Sequence, residues 1–106
     1  MGKRPGTPSH LGIEAKKLWR SVLSEYEITD SHDLMLLRMA CECLDRILEA
    51  REEIQAKGSF FDDRFGQPKE HPAHKTERDN KVLFTRLLRE LQLDVEPPEN
   101  RIHGRY

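Results

Sequence analysis

Asp62 and Asp63, side by side, and His71 and His74, spaced by three, are the residues whose types and spacing come closest to a chemical site. Paired carboxylates can hold a divalent cation or divide acid and base work between them. Neighbouring strand residues point to opposite faces, however, and no further acidic ligand follows at a supporting spacing. A solvated turn therefore explains Asp62 and Asp63 better than a Mg²⁺ site does. In His71-Pro72-Ala73-His74, Pro72 suits the first turn of a helix, which makes His71 its cap. No third ligand and no helical Glu partner completes a zinc set. Cys41 and Cys43 fall about 200° apart around a helix and cannot serve one site, so buried, reduced thiols are expected. The sequence shows no nucleophile–base pair and no phosphate-cradling glycine loop. We therefore expect a protein that is not an enzyme and uses no metal or cofactor.

Basic side chains are the remaining chemistry. Up to Ser24 the chain carries Lys3, Arg4, Lys16, Lys17 and Arg20 against one acid, Glu14, a local +4 in a chain of net charge −1. Lys16, Lys17 and Arg20 share one turn of a helix, a pattern suited to phosphates. A solvated face with a mobile arm accounts for the same residues equally well. Arg78, Lys81 and Arg89 form a second basic face further along, interleaved with Glu77, Asp79 and Glu90.

The elements that would hold these groups are helices. Thr29, Asp30 and Ser31 offer acceptors for an N-terminus, Gly58 offers a left-handed stop, and neither Gly nor Pro interrupts the stretch between. A helix from Ser31 to Lys57 is expected, ~40 Å long at 1.5 Å per residue. Its apolar residues form two stripes: Leu36, Ala40, Cys43, Ile47, Ala50, Ile54, and Leu34, Leu37, Cys41, Leu44, Leu48. One stripe suffices for a helix lying on a single neighbour. A helix enclosed by its own chain would use both. A second copy of the chain is the favoured cover, with Leu36, Ala40, Leu44, Ile47 and Ile54 at the interface.

An earlier helix is expected from about Leu11 to Tyr26, with Trp19 in its apolar stripe and so packing in the core, not stacking on bases. A helix-turn-helix reader is disfavoured because the second helix is too long for that compact unit. Residues 59–70 suggest a short hairpin or Phe-rich turn, Ser59–Asp62 against Gln67–Glu70, with Phe60, Phe61 and Phe65 packed on helices because two strands alone are marginal. A third, amphipathic helix follows from about Ala73 to Gln92. Val82 falls on its polar side, as a contact point with another subunit would. Residues 1–10 read as a flexible basic arm, 11–93 as one helical oligomerisation domain, and 94–106, with its Pro-Pro pair, as an extended tail.

Composition agrees with a chain that needs partners. At 106 residues, 36% hydrophobic and 35% charged, it departs from the usual ~45–50% apolar and ~25% charged of globular domains. A core of that size is thin. With no run long enough to span a bilayer and no signal-peptide core, the expectation is a cytosolic protein that meets no membrane.

The order of elements, together with DRFGQPKEHP (63–72) and TERDNKVLFTRLLRELQLD (76–94), resembles the small terminase subunit of tailed double-stranded DNA phages, in its short, compact branch. The likeness extends from about residue 11 over most of the chain. It implies a mainly α, ring-forming, non-enzymatic subunit of the genome-packaging motor in the infected cell. The implied partners are viral double-stranded DNA and the large subunit, which holds the ATPase and nuclease. Members with a separate N-terminal helix-turn-helix domain place DNA contacts there. In this sequence charge alone designates Lys3, Arg4, Lys16, Lys17 and Arg20, then Arg78, Lys81 and Arg89. The tail, with Arg101, Arg105 and Tyr106, is the segment suited to docking the large subunit. A helical oligomeric adaptor binding only proteins is the alternative.

Overall fold

The computed structural model describes residues 6–93. Helix α1 spans Ile13–Glu25, α2 Ser31–Lys57 and α3 Pro72–Glu90, with strands β1 (Phe60–Asp62) and β2 (Pro68–Glu70) between α2 and α3. The described chain is thus mainly α, in the order the sequence predicts.

Helix α2 is the axis. Asp30 stands at its N-cap but makes no side-chain capping bond, its backbone oxygen accepting Leu34 N–H at 3.0 Å. Packing, not a polar start, holds this long helix. It ends where expected: Gly58, at φ 90°, donates its N–H to Ile54 O at 2.7 Å. That dihedral is one glycine adopts without steric cost.

Both apolar stripes of α2 find cover inside the chain. Helix α1 lies antiparallel along the stripe of Leu37 and Cys41, burying Leu11, Ala15, Trp19 and Val22 with them. Helix α3 lies antiparallel along the stripe of Leu36, Ala40 and Cys43, where Leu87 joins Ala40 and Cys43, with Leu36, Phe84 and Leu88 packed against them. Leu91 and Leu93 reach the α1 cluster, so all three helices meet over the first half of α2. The expectation that a second copy must cover one stripe is corrected here. Ala40 and Ile47 are buried within the fold and present no surface to a partner. Leu36, Leu44 and Ile54 are half-buried. Val82 does lie outside, 59% exposed.

Helix α3 starts as the sequence suggests, with His71 Nδ1 accepting Ala73 N–H at 3.0 Å and Pro72 in the first turn. It closes by a Schellman arrangement: Leu93 N–H reaches Leu88 O at 3.3 Å and Gln92 N–H reaches Arg89 O at 2.9 Å. Gln92 takes the left-handed position usually given to glycine, at φ 58°. Leu91 and Leu93, held on the core to either side, keep it there.

The hairpin pairs Phe60 with Glu70, Phe61 with Lys69 and Asp62 with Pro68. Its loop is built on Asp63, whose Oδ1 accepts Phe65 N–H at 2.8 Å and Gln67 N–H at 2.9 Å. Asp63 is therefore a turn former. The phenylalanines do not pack on helices as expected: Phe60, Phe61 and Phe65 are 64, 45 and 76% exposed. Phe61 and the His71 ring meet in a T-shaped arrangement, at 6.4 Å between centroids, and Arg64 lies over Phe65. The strands hold each other and their own turn, so nothing requires the rings to be covered within one chain.

Candidate nucleic-acid interface and assembly surfaces

The two basic faces differ in how far the chain has already neutralised them. On α3, Arg78 reaches Glu70 at 3.3 Å, and Lys81 reaches Glu77 at 3.0 Å. Glu77 also takes Arg51 of α2 at 2.9 Å, and these bonds hold its carboxyl below the usual range. Arg89 has no ion pair among the described residues. On α1, Lys17 has only Glu14 at 3.5 Å, an exposed pair of little weight, while Lys16 and Arg20 are unmatched among the described residues. Lys3 and Arg4 lie outside the described residues, as do Arg101, Arg105 and Tyr106.

This contrast extends along the bundle. Toward the hairpin, Arg46, Lys57 and Lys75 are each matched by a carboxylate of their own helix, whereas Lys69 and Arg64 have none among the described residues. At the three-helix end Arg38 and Arg86 join Lys16, Arg20 and Arg89 as cations unmatched among the described residues. Sequence spacing did not single out Arg38 or Arg86, because each stands alone among largely apolar neighbours and joins the other cations only in the fold. Acidic residues also stand at that end: Glu25 closes α1, and Glu27 and Asp30 lie in the connection to α2.

One charge of α2 is structural. Asp45 is buried, and both its oxygens accept the N–H of Gly12, the N-cap of α1, at 3.0 and 3.2 Å. It lies four residues beyond Cys41, itself four beyond Leu37, and that line along the α1 side of the helix was its signal in the sequence.

A groove of about 340 Å³ opens beside α1, lined by Gly6, Pro8, Trp19, Ser31, Leu34, Met35 and Arg38. Residues 6–8 of the expected flexible arm thus form one of its walls. The buried Trp19 Nε1–H has no acceptor among the described residues. Neither histidine of the 71–74 pair is placed for metal: His71 caps α3, and the described residues hold no group of three or more ligand-type side chains. No described helix is long and apolar enough to cross a membrane.

The fold is a small three-helix module whose surface leaves aromatic and cationic side chains exposed. The family model of the phage terminase small subunit matches residues 15–97, from α1 through the hairpin and α3. The chain belongs to that family, whose members are generally non-catalytic and serve viral genome packaging. No curated protein and no solved structure gives a significant match.

Proposed function

We propose that this chain forms a ring that binds viral double-stranded DNA in the infected cell and modulates the ATPase and nuclease of the large terminase subunit. The unmatched cations of the three-helix end carry the DNA part of this reading. Lys16, Lys17 and Arg20 are the first contact residues, with Lys3 and Arg4 extending them. Arg78 and Lys81 rank lower because Glu70 and Glu77 already hold them. Repetition around a ring multiplies weak contacts, each neutralised phosphate steepening the log–log salt dependence by roughly 0.9.

Ring contacts would use what the fold leaves outside, Val82 among it, with Leu36, Leu44 and Ile54 contributing their exposed edges. The tail residues Arg101, Arg105 and Tyr106 would dock the large subunit.

Titration of DNA at several salt concentrations tests this. Changing Lys16, Lys17 and Arg20 to Ala should lower both affinity and salt slope, whereas Arg78, Lys81 and Arg89 changed to Ala should matter less. If neither triple variant alters the slope, the chain is a protein adaptor that does not read DNA.

A further inference from the structure

The hairpin and the Trp19–Arg38 groove sit at opposite ends of α2, and each lacks what the other offers. On the hairpin, Phe60 and Asp62 stand on one face because strand residues two apart share a side. Phe60 is largely exposed and Asp62 has no ion pair among the described residues. In the groove, Leu34 and the exposed Met35 give apolar surface, and Arg38, one turn on, has no carboxylate among the described residues. Phe60 to Asp62 spans ~7 Å along a strand, and Met35 to Arg38 is about one helical turn, ~5 Å.

We propose that the hairpin of one copy docks in this groove of the next, with Phe60 on Leu34 and Met35, and Asp62 against Arg38. This deepens the ring reading and rests on it. The contact joins two unlike surfaces, so it repeats head to tail, and a closing rotation makes a ring. On the face that carries Phe60, charge decides against DNA as the occupant: Asp62 shares that face, and Glu70, opposite Phe60, already holds Arg78, whereas Lys69 belongs to the other face.

Native mass spectrometry of the full chain tests it through charge reversal. Asp62→Arg and Arg38→Asp each place like charges across the contact, and each should weaken assembly on the order of tenfold or more. Mixing the two variants should restore assembly in even-numbered, alternating oligomers, since each then meets an opposite charge in its neighbour. Phe60→Ser should dissociate the assembly without changing the helical circular dichroism signal. Reassembly of the mixture supports the docking. Unchanged assembly of both single variants overturns it and leaves the ring standing on another interface. Dissociation without rescue on mixing overturns the Asp62–Arg38 pairing. A wild-type monomer at high micromolar concentration removes the ring itself. Should Phe60→Ser assemble normally yet lose the large subunit, the hairpin face belongs to that partner and the proposal fails.

Discussion

Gly12 donates its N–H to both carboxylate oxygens of Asp45, so a side chain of the second helix braces the start of the first. In a capping box the N-cap amide is taken by a glutamate of the same helix; here the acceptor comes from across the interface. A Cβ on Gly12 would stand 2.7 Å from Asp45 Oδ1. Gly12→Ala must therefore push the carboxylate off its donor. Asp45→Ala leaves the donor orphaned, at a cost of ~1–2 kcal/mol. Urea denaturation should show both single variants destabilised. The double variant should cost clearly less than the sum, because one bond cannot be lost twice.

Glu77 ties α3 to α2 through Arg51 and to its own helix through Lys81. Hydrogen bonds from Arg51 and then Lys81 lower its pKa from 4.5. A depressed carboxyl contributes stability fully above its unfolded value and loses it as pH falls through the folded one. Stability should thus decline below about pH 4.5 more steeply in the wild type than in Glu77→Gln. Arg51 and Lys81 are about half exposed, so solvent limits the effect to ~0.5–1 kcal/mol.

Burial, helped by Asp45 and Glu42, pushes the Cys41 thiol up from 9.0 to about 12, and burial first, then Glu42, raises Cys43 as well. Thiolates are the reactive form, so iodoacetamide at pH 8 should spare both in the native protein and label both in urea. The sign of the linkage is opposite to that of Glu77. Stability is whole below pH 9.0 and falls as pH rises toward 12, where the unfolded thiols ionise and the native ones still hold their protons.

The hairpin should be separable from the helices. Asp63→Ala removes the acceptor of two loop amides, and Gly66→Ala puts a side chain at φ 77°. Each should erase the cross-strand contacts seen by NMR. Core amides around Leu37 and Cys41 should stay protected, since no hairpin residue belongs to that cluster.

Local chemistry was legible and partner choice was not. The Gly58 stop of α2 and the His71 cap with Pro72 behind it follow from residue types acting on their own backbone. The two stripes of α2 were also visible, but period alone does not say whose side chains fill the other half of a contact. A thin composition pointed to a second copy, yet α1 and α3 supply both covers. Asp45 shows the limit: an acid on a charged helix looks solvated until Gly12 comes beside it. The phenylalanines were misread for the converse reason: apolar residues were assumed to be buried by their own chain.

Because α1 begins at the level of Asp45, the long helix is flanked by both partners over its first half, while past that point it runs on with α3 alongside. Opening free energy is not uniform in such a structure. Amides near Leu37 and Cys41 should exchange with solvent only through global unfolding. Those from Gln55 through Glu70 should exchange through local fraying, minutes to hours sooner. The chain is therefore a rigid grip with a compliant end, and in an assembly the compliant end can absorb differences in subunit spacing that the grip cannot.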